Sequence, residues 1–173
     1  ANLGSSVGIS RATDAASLER ALEAAFQHDR RVLVEAAAEG AREIEIGLLG
    51  TIDPLVSVAG EIHVGGDGFY DYDRKYHDDA VRLSVPAALT PGAQAELQAL
   101  VTRAYAAVDA ADLARIDAFL LPDGSWRINE INTMPGFTAR SMYPRLLAAS
   151  GVSYRDLLAR LVEQARARAS RRA

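Results

Sequence analysis

Two short apolar runs, LARIDAFLL from Leu113 and SWRINEIN from Ser125, are separated by Pro122-Asp123-Gly124. No other stretch restricts the fold as tightly, because Asp-Gly between apolar runs is a strong β-hairpin signal. A two-residue turn needs positive φ at both central positions, which Gly tolerates and Asp visits. With Asp123 and Gly124 at the tip, the strands pair outward from Pro122 and Ser125. Asp117 then faces Glu130, and Arg115 faces Asn132. Side chains alternate with a period of two, so all four polar groups project from one face. A loop of odd length would shift the register and break that alignment.

The chemistry of the four groups is complementary. Two carboxylates and an amide oxygen suit a hard divalent cation such as Mg²⁺. An Arg beside them suits phosphate or a developing oxyanion. The plain alternative is a surface ladder of weak cross-strand ion pairs, which is the default for an arbitrary hairpin. The segment that follows, NTMPGFT from Asn132, is rich in turn formers yet carries Met134 and Phe137. It tips the reading towards a site at the strand end.

The 173 residues make one ordinary domain with room for a sizeable core. A composition of 49% hydrophobic and 24% charged residues is globular. The net charge of -4 and a pI near 5.4 argue against a nucleic-acid binder built on phosphate contacts. Arg166, Arg168, Arg171 and Arg172 read as a solvated helix end, where cations suit the dipole. The absence of cysteine excludes disulfides and thiolate metal sites. No apolar run is long enough for a bilayer-spanning helix, so no membrane partner is expected and a soluble cytoplasmic protein is the default. The chain opens at Ala1 without an initiating Met, so the lack of a signal peptide carries little weight.

Along the chain, NLGSSVGIS from Asn2 is a Gly/Ser loop with many N–H and hydroxyl donors. It matches neither GxxxxGK[ST] nor GxGxxG, and taken alone is a plain turn. Asp14 is placed to cap a helix running to about His28, with Leu18, Leu22, Ala25 and Phe26 facing a sheet. Arg31 to Ala37 reads as a strand. REIEIGLLG alternates, with Ile44, Ile46 and Leu48 on one face and Glu43 and Glu45 on the other. A further strand is expected near Val56 to Val64, then a long irregular loop from Gly65 to Asp79 and a strand in AVRLSVPA. Within that loop Lys75 and Tyr76 are candidates for an anionic ligand, or its aromatics merely pin it to the body. A helix from Gly92 to about Val108 carries Leu97, Leu100, Val101, Ala104 and Tyr105 on its buried stripe. Tyr143 to Ala149 forms a short helix stopped near Gly151. Ser153 caps a last amphipathic helix through Leu157, Leu158, Leu161 and Val162. These elements make an α+β or mixed α/β domain. His28, His63 and His77 have no metal-ligand spacing among themselves, and no Ser-His-Asp arrangement is present.

Several of these stretches, taken together and in this order, resemble D-alanine–D-alanine ligases of the ATP-grasp superfamily. They are NLGSSVGIS, REIEIGLLG, GEI with FYDYDRKY, LARID, NEINTMPGFT and SMYP, and the likeness runs from Asn2 to about Glu163. NEINTMPGFT with SMYP is highly specific, and FYDYDRKY supports it independently. The resemblance implies an α+β, ATP-grasp carboxy-terminal domain, with a mostly antiparallel sheet and packed helices. It implies the use of ATP and Mg²⁺, two ions, with Mn²⁺ as a substitute. ATP phosphorylates the carboxylate of one D-alanine, and the amine of a second attacks the acyl phosphate to give a peptidoglycan dipeptide. Carried over by motif, Asp117, Glu130 and Asn132 match the metal ligands, and Arg115 with the Gly136 N–H matches the oxyanion-stabilising pair. Ser141 and the Met142 backbone match the site for the second D-alanine carboxylate. Glu35 and Ala38 match adenine contacts, Glu43 a ribose contact, and Lys75 a phosphate contact. Ser6 and Tyr76 match residues that lock two loops over the substrates.

Three departures from the family pattern bear on these expectations. The chain starts just after the point where the family places a phosphate-contacting Lys-Pro, and further Lys and Glu partners and an amino-terminal domain lie outside it. Ala36 stands where many members have Lys. AAAEGAREIE is one residue longer than some versions, which blurs the position of Ala38. The expectation is therefore the carboxy-terminal portion of a longer ligase, homodimeric by resemblance. The alternatives are a ligase joining D-alanine to D-lactate or D-serine, or a catalytically silent nucleotide-binding fragment. Tyr76 in KY favours the dipeptide.

Overall fold

The computed structural model describes residues 6–63 and 82–170. Its contacts divide the chain into two compact units, Ala1–Glu39 with His63–Arg82, and Gly40–Ile62 with Leu83–Ala173. In the first unit, α1 spans Ala15–Phe26. Asp14 accepts a hydrogen bond from Ser17 N at 2.7 Å, while the Ser17 hydroxyl accepts one from Asp14 N at 3.1 Å. This reciprocal cap satisfies two N–H groups that a helix start leaves open. The helix ends at Gln27, one residue short of His28.

Two expectations for this unit are not met. α1 buries none of its residues, and Leu18 and Phe26 stay at the surface. The run from Arg31 to Ala37 carries no strand, with Leu33 86% and Val34 66% exposed. A strand exists only as one side of a ladder, so β-prone residues without a neighbour to pair with do not make one.

The second unit holds the sheet. β1 is Arg42–Leu49, β2 Leu55–His63, β3 Arg82–Ser84, β4 Leu113–Leu120 and β5 Trp126–Asn132. Their order across the sheet is β3-β2-β1-β4-β5, and β1 pairs antiparallel with both β2 and β4. The strand expected in AVRLSVPA is three residues long. The long loop expected from Gly65 to Asp79 lies outside the described residues.

One face of the sheet carries the apolar positions that alternation marks. Ile44, Ile46 and Leu48 join Ala114, Ile116 and Ala118 beneath Leu97, Val101 and Tyr105 of α2, Pro91–Ala107. Thr90 caps α2 by accepting from Ala93 N at 3.2 Å, and Pro91 occupies the first position, where a missing N–H costs nothing. The other face is covered by α3, Met142–Ala149. Gly47 and Gly60 let it approach. A Cβ at Gly47 would lie 2.7 Å from Leu147 Cδ2 and 3.1 Å from the Tyr143 ring. α4, Tyr154–Ser170, is capped by Ser153, which accepts from Asp156 N at 3.1 Å. Only Leu157 of its expected stripe is buried, while Leu158 and Val162 face outward.

Because Gly47 sits under a ring pinned by the Tyr143 hydroxyl donating to Leu48 O at 2.9 Å, Gly47→Ala should destabilise the fold by about 1–3 kcal/mol through overpacking. Gly92→Ala, whose new methyl meets nothing within 4 Å, should be neutral or stabilising. Urea unfolding of both variants decides it, and equal midpoints would refute the close approach. A second expectation concerns alkali. Burial, then the charge of Asp112, pushes the Tyr105 phenol up to about 12. Burial, then Tyr105, also raises Tyr143. A raised folded value means the contribution to stability is complete below about pH 10 and is lost as pH climbs through that folded value. Stability followed by urea should therefore fall between about pH 10 and 12. Tyr105→Phe should flatten the fall, and an unaltered slope would count against this origin.

Candidate active site

The hairpin of β4 and β5 turns through Pro122, Asp123 and Gly124. Leu121 N donates to Ser125 O and Gly124 N to Leu121 O, both at 2.9 Å, and Gly124 has φ +84°. The loop is thus three residues, a turn closed by a left-handed glycine, and not the two-residue turn expected from Asp-Gly. Its odd length pairs Leu120 with Trp126, Phe119 with Arg127 and Ala118 with Ile128. A bulge then leaves Asn129 over, and the register resumes as Asp117 with Glu130, Ile116 with Ile131 and Arg115 with Asn132. The two one-residue shifts cancel. The expected polar pairs stand opposite each other, although the turn is of a different kind.

β1 completes this face. Opposite β4 it sets Glu43 against Phe119, Glu45 against Asp117 and Gly47 against Arg115. Arg115 grips Asp117 with two hydrogen bonds, Nε to Oδ1 and Nη2 to Oδ2, each 2.7 Å. Its Nε also lies 3.2 Å from Glu45 Oε2, and Nη2 lies 3.9 Å from Glu130 Oε1. One guanidinium therefore meets three carboxylates. The side chains of Arg115 and Asp117 are each 14% exposed, that of Glu45 8% and that of Glu130 53%. Burial works against the Arg115 charge. The hydrogen bonds and charge of Asp117, followed by the charges of Glu45 and Glu130, outweigh it and raise the guanidinium pKa further. Glu45 was visible in the alternation of β1 but had no assigned role, because only the β1–β4 pairing brings it to Arg115.

The NTMPGFT segment leads from β5 to α3. Asn132 Oδ1 accepts from Met134 N at 3.3 Å. The Phe137 ring is wedged between those of Tyr143 and Tyr154, at centroid distances of 5.9 and 5.8 Å, and Phe137 O accepts from the Tyr154 hydroxyl. Ser141 stands at the cap of α3, its Oγ accepting from Thr138 N at 3.1 Å. A Cβ on Gly136 would lie 2.9 Å from that Oγ, so a side chain there would push the Ser141 hydroxyl aside. Met142 opens the helix and is buried. Met134, by contrast, is 90% exposed.

Glu43, Arg115, Asp117, Glu130, Asn132, Gly136, Ser141 and Met142 all belong to the second unit, the first five on one sheet face with α3 packed over its neighbouring glycines. Ser6, Glu35 and Ala38 belong to the first unit. Ser6 has φ +60° in a turn where Ile9 N donates to its carbonyl at 3.2 Å. Lys75 and Tyr76 lie outside the described residues. Asp117, Glu130 and Asn132 offer an oxygen-only set whose outer member, Glu130, is open to solvent. Each Asp117 oxygen keeps a second lone pair beyond its bond to Arg115. Such a set fits Mg²⁺, which binds through one or two carboxylates and is completed by water and substrate phosphates. Among the described residues no group of three or more His, Cys, Asp or Glu forms a metal cage by itself. Among them, too, no helix is long and apolar enough to cross a membrane.

A family model described as the D-ala D-ala ligase C-terminus matches residues 1–163. The chain belongs to the D-alanine–D-alanine ligase family. It is 49% identical over 168 residues to the D-alanine–D-alanine ligase of Bacillus velezensis, covering 97% of this chain and 47% of that relative. The ligase of Mycobacterium sp. (strain KMS) is 51% identical over 172 residues, with 95% and 46% covered. Among solved structures, the D-alanine–D-alanine ligase from Coxiella burnetii matches with a TM-score of 0.84 at 32% identity, over 98% of this chain and 44% of that one. The VanG D-Ala:D-Ser ligase from Enterococcus faecalis matches at 0.83 and 34%, over 93% and 46%. The chain spans about half the length of the curated relatives it matches. The α+β architecture, a largely antiparallel sheet with packed helices, is the one expected of this family.

Replacing Arg115 with Met would strand Asp117 and Glu45 without their guanidinium. Removing one partner of a buried ion pair typically costs about 3–5 kcal/mol, so urea unfolding should show a loss of that order. A loss below about 1 kcal/mol, the worth of a surface pair, would mean that water reaches these carboxylates freely.

Proposed function

We propose that this chain is the carboxy-terminal, nucleotide- and Mg²⁺-binding part of a longer ATP-dependent ligase that joins two D-alanine molecules for peptidoglycan synthesis. The observation that carries the reading is the convergence of Arg115, Asp117, Glu130 and Asn132 on one sheet face, within a chain of this family. Asp117, Glu130 and Asn132 would hold Mg²⁺, two ions in this reading. Held there, the metal would supply neutralisation of phosphate charge in phosphoryl transfer, a reaction that depends mainly on positioning and electrostatics. Arg115 and the Gly136 N–H hold the negative oxygen that develops when the amine of one D-alanine attacks the acyl phosphate of the other. Ser141 and Met142 N, at the start of α3, hold the carboxylate of the second D-alanine, where unpaired N–H groups favour an anion. Glu35 and Ala38 contact adenine, Glu43 the ribose hydroxyls and Lys75 the phosphates, and Ser6 and Tyr76 close over the substrates. A cytoplasmic homodimer belongs to the same reading.

The likeness to VanG, matched as well as the D-alanine ligase structures are, keeps D-serine as the second acceptor to test, with D-lactate beside it.

The deciding experiment measures ADP release with Mg-ATP and D-alanine, for this chain beside the same protein at the full length of its relatives. Release by the longer form, preferring D-alanine to D-serine and D-lactate, is the expected result. Silence of both forms, folded and saturated, would overturn the reading in favour of a nucleotide-binding module. In the active form, Glu130→Gln should keep the fold and lose turnover at limiting Mg²⁺. Undiminished turnover there would remove Glu130 from the metal site.

A further inference from the structure

Glu45 lies against Arg115 and has no part in the chemistry proposed above. Its side chain is 8% exposed, and its Oε2 stands 3.2 Å from Arg115 Nε, an ion-pair contact beside the 2.7 Å hydrogen bond that the same Nε donates to Asp117 Oδ1. The register explains the approach. Glu45 stands directly opposite Asp117, and Arg115 stands opposite Gly47, which offers no side chain of its own. The guanidinium therefore lies diagonal to Glu45 on the same face, within reach of a long side chain.

Asp117 has two partners of like charge to satisfy. In this structure both of its oxygens accept from Arg115, each through one lone pair. As a ligand it turns its remaining lone pairs to a divalent cation, whose charge repels the guanidinium and weakens its hold on Asp117. Arg115 is too enclosed to exchange Asp117 for water, and a buried charge that loses its partner is strongly unfavourable. We propose that Glu45 is a positioning residue, the buried carboxylate that keeps hold of Arg115 when Asp117 turns to the metal. Glu45 Oε2 then becomes the principal acceptor of Arg115 Nε, and the guanidinium stays in place on the sheet face while the cation binds. Without Glu45, Arg115 would cling to Asp117 and compete with the metal for it. This inference rests on the Mg²⁺ reading of Asp117 and is tested so that the two can fail separately.

The experiment titrates Mn²⁺ into this chain, following the free-ion EPR signal, for wild type, Asp117→Asn and Glu45→Gln. In parallel, the exchange rate of the Arg115 Nε–H is read by ¹⁵N NMR with and without saturating Mg²⁺. Glu45→Gln should weaken Mn²⁺ binding by about 10–100-fold, the usual effect of losing a partner that orients a ligand. In wild type the Arg115 Nε–H should stay protected from exchange when Mg²⁺ is added, and in Glu45→Gln it should lose that protection. If Glu45→Gln weakens Mn²⁺ but leaves Arg115 protected, only its charge matters and the positioning role is overturned. Unchanged Mn²⁺ affinity in Glu45→Gln, with Asp117→Asn weakened, overturns the role of Glu45 and leaves the metal site standing. Unchanged affinity in Asp117→Asn overturns the metal site and this inference with it. Should Glu45→Gln fail to fold, the wild-type exchange rate still decides, since loss of Arg115 protection on adding Mg²⁺ overturns the proposal.

Discussion

β1 is paired on both edges and covered on both faces, and from Ile44 to Leu49 it has no exposed residue. Such a strand leaves no freedom of register. A slip of one residue would send Ile44, Ile46 and Leu48 to the α3 side and bring Glu43 and Glu45 into the α2 core. A buried, unpaired carboxylate is among the least tolerated groups in a protein interior. The apolar alternation of β1 therefore holds Glu45 on the face where Arg115 waits. The polar site is a by-product of the packing on the opposite side.

The same constraint accounts for the hairpin. β4 is locked to β1 through eight consecutive pairs from Arg42 with Leu120 to Leu49 with Leu113. β5 must then present Ile128 and Ile131 to the core, three residues apart, which a regular strand cannot do. The bulge at Asn129 resolves this, and in doing so it undoes the shift made by the odd-length turn. Asp123 supports that turn by accepting from Ser125 N at 2.8 Å. Turn and bulge are coupled, and neither alone would place Asp117 beside Glu130.

Close approach is the second organising principle. Gly47 and Gly60 admit α3 onto the sheet, and Gly136 admits the backbone beside Ser141. Phe137, held between Tyr143 and Tyr154, ties the connecting segment to the two helices that follow it. The start of α3, with Ser141 at its cap, is thereby carried to the face that bears Arg115 and Asp117.

Much of this was legible in the residues themselves. The strands of the second unit, the Asp14 and Ser153 caps and the stripe of α2 follow from local chemistry, because period and capping act over a few residues. The facing of Asp117 with Glu130 was expected from a two-residue turn, but the structure reaches it through a three-residue turn and a compensating bulge. The family motifs supplied the metal and substrate assignments by likeness alone, and these stand as proposals. Other features depended on contacts distant in sequence. The Arg31 to Ala37 run has the composition of a strand, but a ladder needs a neighbour that composition does not supply. The α1 and α4 stripes are apolar by spacing, yet burial depends on what lies opposite. Glu45 alternates plainly with Ile44 and Ile46, and nothing local distinguishes it from Glu43. Only the antiparallel pairing of β1 with β4, across some seventy residues of chain, sets it against Arg115. Local periodicity decided which face each side chain took, and the tertiary structure decided which charges met there.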